Sequence, residues 1–367
     1  MEKDTLLIHS GGKNPLGAVG TPIFTASTFG DAAENGYSYT RTSNPTRASL
    51  EKTLAAAEGG KYAFAFSSGL AAEDALFSCF DKIVCANDIY GGTKRYLKAY
   101  RAQNAVFCDV NDESALESAL RGTYNALVFA ETPANPLMRI TDIRKTAAAA
   151  HSRHALLAID NTFLSPALQN PLSLGADICV HSATKYLGGH HDSVAGCAVT
   201  SNAEVAEKLR FALNTKGNGL SPFDSFLIKR GMETLCLRMK KHCENAREVF
   251  DFLKTRREVT RIYYAGDEDS AGYAVNASQA SGAGGMISFE LDEERVPGFI
   301  KKLRLIAFAE SLGGNASLIT HPYTQTHASL TREEKAACGI TKGLLRLSCG
   351  TESAVDIISD LENALAR

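Results

Sequence analysis

The sequence predicts an α/β protein: a large unit on a seven-stranded, mainly parallel sheet, followed by a smaller C-terminal α/β unit. Three observations predict it. Between about residues 60 and 200, short apolar runs alternate with amphipathic stretches, the pattern of parallel strands crossed over by helices. A chain of 367 residues exceeds what one hydrophobic core usually serves. With 44% apolar and 22% charged residues it can bury a sizeable core, which excludes disordered and fibrous classes.

In chain order, the first 45 or so residues are rich in Gly, Thr, Ser and Pro and carry little periodicity. They are expected to form an extended arm, residues 1–48. Residues 49–232 form the large unit, with candidate strands at Tyr62–Phe66, Ile83–Ala86, Ala105–Cys108, Ala126–Ala130, Leu156–Ile159, Ile178–Val180 and Cys197–Thr200. Helical segments are expected near 70–80, 92–102, 113–121, 142–152 and 203–213. Pro222 opens a helical pattern running to about Leu253, read as a connector. In residues 233–367, strands are expected at Arg261–Tyr264, Met286–Leu291, Ile306–Ala309 and Leu344–Leu347, with helices near 294–303, 332–338 and 353–366. In such a sheet the ligand sits at the carboxyl ends of the strands, where the polar motifs of this chain cluster.

The formal net charge is −2, with no basic block or acidic tail, which argues against nucleic-acid and membrane-surface partners. No apolar stretch reaches membrane-spanning length, and Met1–Thr5 lacks the pattern of a signal peptide, so a cytoplasmic location is expected. Nine cysteines with no Cys-x-x-Cys pair read as small thiols in a reducing compartment. His190 and His191 are adjacent in sequence and rarely converge on one ion, so no metal is expected.

The most telling segment is His181-Ser182-Ala183-Thr184-Lys185-Tyr186, about twenty-five residues after Ile159-Asp160-Asn161-Thr162. A lysine past one apolar run and a carboxylate at the end of another are what a pyridoxal phosphate (PLP) site needs. The amine forms a Schiff base with the aldehyde, and the carboxylate keeps the pyridinium nitrogen protonated so that the ring accepts carbanion electrons. Ser182 and Thr184 supply hydroxyls for the phosphate. Alone, a Ser-x-Thr-Lys string is more often a solvated loop. Ser67-Ser68-Gly69-Leu70 follows a strand and opens a helix, where backbone N–H groups can approach a phosphate closely; the alternative is an ordinary helix cap. Tyr90, beside Gly91-Gly92, can stack on a pyridine ring or serve only as packing. Asn135, between Pro133 and Pro136, can hold a ring oxygen or form a rigid turn.

In combination these motifs resemble those of the PLP-dependent enzymes of cysteine and methionine metabolism, the group of cystathionine γ-synthase, γ-lyase and β-lyase. The resemblance runs from about Thr5 to the C-terminus. It rests on Tyr39-Thr40-Arg41-Thr42-Ser43-Asn44-Pro45-Thr46-Arg47, the Ser68-Gly69 turn, Tyr90-Gly91-Gly92-Thr93, the Asn135 segment, Asp160-Asn161-Thr162-Phe163, the Lys185 motif, Glu310-Ser311-Leu312-Gly313-Gly314 and Arg346-Leu347-Ser348. It implies a fold-type I PLP enzyme acting on a small amino acid, a homotetramer of tight dimers in which Tyr39 and Arg41 reach the neighbouring subunit's cofactor phosphate. It further implies that Ser68, Gly69, Leu70, Tyr90, Asn135, Asp160, Thr162, Ser182, Thr184 and Lys185 bind the cofactor. Lys185, Tyr90 and Asp160 would carry catalysis, and Arg346 with Asn135, Glu310 and Ser311 would bind substrate.

Within that group, Tyr90-Gly91-Gly92 and Glu310 look like the γ-acting branch, because methionine γ-lyases usually carry a cysteine where Gly92 stands. The expected chemistry is γ-elimination or γ-replacement, with β-elimination, methionine γ-lyase activity and a non-catalytic PLP-binding protein as alternatives. Two departures bear on substrate: Ser38 and Ala316 stand where the resemblance predicts acidic residues.

Overall fold

The computed structural model describes residues 1–14, 17–328 and 330–366. Strands β1 (Tyr62–Phe66), β2 (Lys82–Ala86), β3 (Ala105–Cys108), β4 (Ala126–Glu131), β5 (Leu156–Asp160), β6 (Ile178–His181) and β7 (Gly196–Thr200) form one sheet in the order β1-β7-β6-β5-β4-β2-β3. Neighbours from β3 to β6 run parallel, and β7 alone is reversed, antiparallel to both β6 and β1. All seven expected strands are present. Their continuous apolar runs follow from coverage on both faces: Ile83, Val84 and Cys85 on β2, and Leu157, Ala158 and Ile159 on β5, are fully buried. On one face Phe77 meets Phe129 edge-to-face, with ring centroids 5.1 Å apart. On the other, Leu50 and Leu54 pack with Tyr186, Leu187 and Met239.

A second sheet holds β8 (Arg261–Tyr263), β9 (Met286–Glu290), β10 (Ala307–Phe308), β11 (Leu318–Thr320) and β12 (Leu344–Ser348), in the order β10-β11-β12-β9-β8. Helices Leu235–Lys254 and Ala354–Leu365 pack against it around Phe250, Phe289, Ile357 and Leu361. Among the described residues no helix is long and apolar enough to cross a membrane.

Among the features that differ from the sequence expectation, four bear on how the chain is built. The first 45 residues are not uniformly extended: Lys3–His9 is helical, its Leu7 fully buried, and Lys3 Nζ reaches the Ala57 carbonyl at 2.6 Å. A seven-residue helix has too little propensity of its own, and tertiary docking supplies the rest. Pro45–Glu58, partly assigned to the arm, is a helix started by the Asn44 side chain and by Pro45 at its first position. The pattern from Pro222 to Leu253 is two helices, Pro222–Met232 and Leu235–Lys254. They part where the Arg238 guanidinium and the Thr234 hydroxyl both donate to the Gly231 carbonyl, at 2.6 and 3.3 Å. Strand β11 was not expected, because three residues are too few to show a period.

Candidate active site

The carboxyl ends of β1, β4, β5 and β6 open onto a cavity of about 340 Å³, whose lining is completed by Glu310–Leu312, Thr326 and Arg346 of β12. At the end of β1, Ser68 caps helix Gly69–Phe77 by accepting from the Ala71 N–H at 3.0 Å. That leaves the first N–H groups of the helix, at Gly69 and Leu70, turned to the cavity, where the helix dipole favours an anion. Gly69 packs closely on the Ser182 segment: a Cβ there would lie 3.1 Å from Ser182 Cβ and 3.2 Å from its Cα, so Ser182 would have to give by a few tenths of an ångström. Ser182 and Thr184 line the same corner. The Thr184 hydroxyl is already tied to β7, donating to the Ala195 carbonyl at 3.1 Å and accepting from its N–H at 2.9 Å.

Asp160 ends β5. Its Oδ1 accepts from the Thr162 N–H at 2.9 Å and the Thr162 hydroxyl at 2.5 Å, and that hydroxyl in turn accepts from the Ser182 N–H at 2.8 Å. Burial raises the Asp160 pKa, and the bonds from Thr162 oppose the rise. Lys185 follows β6, and its Nζ donates to Ser311 Oγ at 2.8 Å. Burial, and secondarily the Arg346 charge, lower its pKa from the ordinary value to about 8. Ser311 holds φ at 101°, a strained conformation for a residue with a Cβ, costing about 1–3 kcal/mol at such sites.

Arg346 lies in the middle of β12 and is 2% exposed. One guanidinium nitrogen donates to Asn135 Oδ1 at 2.7 Å; the other donates to the Ser311 carbonyl at 3.1 Å and Thr320 Oγ1 at 3.4 Å. Its Nε has no partner among the described residues. With no carboxylate paired to it, burial lowers its pKa to about 10, and an anionic ligand would relieve that cost. Tyr90 precedes helix Gly91–Tyr100; its N–H is held by Glu131 Oε1, and its partly exposed ring faces the cavity. Gly92 makes room for that ring: a Cβ there would lie 2.3 Å from Tyr90 Cε1. Glu310 lines the cavity with an exposed side chain.

Of the residues singled out in the sequence, Ser68, Gly69, Leu70, Tyr90, Asn135, Asp160, Thr162, Ser182, Thr184, Lys185, Glu310, Ser311 and Arg346 all line this cavity. Tyr39 and Arg41 do not. They sit on the surface beside Ser221–Phe223, with the Arg41 guanidinium 5.5 Å from the Tyr39 ring centre and donating to the Asn214 carbonyl at 2.8 Å. Three further polar residues line the cavity: Glu131 and Thr326, which stand in motifs the sequence pointed to but were given no role, and Glu73, which sequence reasoning missed. The signal for Glu73 was a charge among Ala71, Ala72, Ala75 and Leu76 on the buried side of a helix, whereas its neighbour Asp74 pairs with Lys216 outside. Glu131 ends a fully buried strand.

The chain matches the model of the Cys/Met metabolism PLP-dependent enzymes over residues 4–366. It belongs to that family. Among relatives in the family, it is 44% identical to a cystathionine γ-lyase of Bacillus subtilis, covering 100% of this chain and 99% of the relative. It is also 44% identical to a cystathionine β-lyase of Lactococcus lactis subsp. cremoris, covering 99% and 98%. The crystal structure of a cystathionine γ-synthase from Xanthomonas oryzae pv. oryzae, in complex with aminoacrylate and cysteine, superposes with a TM-score of 0.96 at 41% identity, covering 100% of this chain and 98% of the other. The protein is therefore a PLP-dependent enzyme with the mixed α/β fold of this family. The cavity fits the cofactor: a helix N-terminus with free N–H groups, a buried carboxylate, an amine of lowered pKa and an aromatic face converge within it.

Proposed function

We propose that the protein eliminates or replaces the γ-substituent of a sulfur-containing or O-activated homoserine-type amino acid. The observation that carries this reading is the convergence of Lys185, Asp160, Tyr90 and Arg346 on one cavity, in a chain whose full-length relatives include γ-lyases and γ-synthases. Bound PLP supplies an electron sink for charge developing at the substrate Cα. Gly69, Leu70, Ser182 and Thr184 hold its phosphate, Asp160 with Thr162 fixes the ring nitrogen, the Asn135 amide meets the ring oxygen, and Tyr90 stacks on the ring face. Arg346, whose planar guanidinium is held by Asn135 and the Ser311 carbonyl and whose Nε is unpartnered among the described residues, binds the substrate α-carboxylate with Asn135 and Ser311 beside it, while Glu310 stands at the substrate. Lys185 Nζ, poised near neutrality, takes the Cα proton and shuttles protons to the neighbouring carbons. The Tyr90 hydroxyl assists as the γ-group departs.

In the same reading the enzyme works in the cytoplasm as a homotetramer of tight dimers, and Tyr39 and Arg41 complete the neighbouring subunit's phosphate site. Their distance from their own cavity and the nine free thiols support it. The division into residues 1–48, 49–232 and 233–367 belongs to this proposal. β-Elimination is the second reading, favoured by relatives named cystathionine β-lyase. The test is incubation with cystathionine, methionine, cysteine and O-acyl homoserines, with and without a thiol, and product identification by mass. 2-Oxobutyrate or a γ-thioether supports the proposal; pyruvate alone moves it to the β-reading, and no turnover of any of them overturns both.

A further inference from the structure

Glu73 takes no part in that scheme, yet it lines the same cavity. It lies one helical turn beyond Gly69 and is 4% exposed. Oε1 accepts from the Thr93 hydroxyl at 3.0 Å, and Oε2 is buried with no partner among the described residues. Its titratable surroundings are neutral or acidic: Asp160 at the end of β5, Glu131 at the end of β4, Cys85 on β2, and Tyr90 and Tyr96 at helix Gly91–Tyr100. The cations of the cavity, Lys185 and Arg346, are bonded elsewhere, to Ser311, Asn135 and Thr320. A carboxylate here would be buried without a counter-charge, so the group is held as the neutral acid; burial, with repulsion from Asp160, pushes its pKa up to about 8.

We propose that Glu73 tunes the ring-nitrogen partner Asp160: it rests as a neutral acid facing the cofactor cavity, and on releasing its proton to solvent it adds a second negative charge near Asp160 that strengthens the hold on the pyridinium proton. The inference rests on the proposed role of Asp160. Glu73 is a positioning residue, since it acts through Asp160 and touches no reacting atom. Its effect is confined to alkaline solution, where an isolated Asp160 would have to retain the ring proton alone.

The test compares the wild-type holoenzyme with Glu73→Gln, which keeps shape but never ionises, and Glu73→Leu, which removes the polar group. Infrared difference spectra between the cofactor-free forms of wild type and Glu73→Gln should show a protonated-carboxyl C=O band at about pH 6 that disappears as pH rises through about 8, and the holoenzyme should show the same acid band at low pH. With ring-labelled cofactor, the ¹⁵N resonance of the ring nitrogen should keep its protonated position to about one pH unit higher in wild type than in either variant, a tenfold difference in proton affinity. Glu73→Leu serves where Glu73→Gln fails to fold. No acid band at low pH, or ring-nitrogen titrations that coincide in wild type and a folded variant, overturns the proposal. If instead the ring nitrogen is unprotonated at every pH, the role given to Asp160 is wrong; the infrared band, measured equally well without cofactor, still decides the state of Glu73.

Discussion

In the floor of the cavity the side chains are held by one another: Asp160 by Thr162, Thr162 by Ser182, Lys185 by Ser311, and Arg346 by Asn135. In the arm, Tyr39 is 47% exposed and lies with Arg41 in a shallow surface hollow away from the cavity. The floor is pre-organised by a single chain, because rigid strand ends and a helix cap fix its groups before any ligand arrives. The arm's polar residues are held too, Arg41 and Thr42 by Asn214 and Asn44 by the Phe24 carbonyl, but outside the cavity. The difference is that one chain by itself brings together the acid–base and carboxylate-binding groups of the cavity, while Tyr39 and Arg41 stay outside it, as the proposed sharing of the phosphate site between subunits requires.

The sharpest way to break this comparison is at the floor. Lys185→Ala should lower kcat by about 10²–10⁴-fold through lost proton transfer alone. It should also replace the absorption band of the Lys185-linked cofactor with that of the free aldehyde while PLP stays bound noncovalently; normal turnover by this variant would sink the assignment. At the arm, Arg41→Ala removes a charge-assisted bond and should cost about 10–100-fold in kcat/KM. Mixed with Lys185→Ala under conditions of subunit exchange, it should recover activity through hybrid dimers; no recovery despite demonstrated exchange counts against shared sites.

Ser38 sharpens the comparison from the substrate side. A site lacking a carboxylate near a distal ammonium gives up about 1.5–3 kcal/mol, so Ser38→Glu should raise kcat/KM for cystathionine about ten- to a hundred-fold relative to an uncharged-tail substrate. An unchanged ratio refutes it. The next effect is one of pH. Lys185 is depressed to about 8 in the chain without cofactor, and only the neutral amine attacks an aldehyde. The rate of PLP capture by apoenzyme should therefore climb about tenfold per pH unit below about 8 and level off above it, measured by stopped-flow absorbance. The smallest change is Gly92→Ala, whose Cβ meets the Tyr90 ring and must displace it. About one off-rotamer strain of 0.5–1.5 kcal/mol, or a few-fold in kcat, is expected with apo stability little altered.

Much of the site was readable in the sequence because its chemistry is local. Ser68-Gly69, Asp160-Asn161-Thr162 and Ser182–Lys185 each sit in one turn after an apolar strand, so motif and position coincide. Glu73 was missed, and Glu131 given no role, for the opposite reason: nothing in their immediate sequence shows that a helix flank and a strand end meet beside Asp160. The two-helix break at Glu233–Thr234 was hidden because it depends on Arg238 reaching back to Gly231.

By itself the sequence determined the seven strands of the large sheet, the alternation with helices and the chemical types gathered at the strand ends, since hydrophobic period and turn residues are properties of short segments. Only the tertiary structure decided which acids share one low-dielectric cavity, and hence that Lys185 falls to about 8 and Glu73 rises to about 8. It also decided that Tyr39 and Arg41 face away from their own site. Burial and charge proximity arise between segments far apart in the chain, and they shift proton affinity only once folding has removed the water between them.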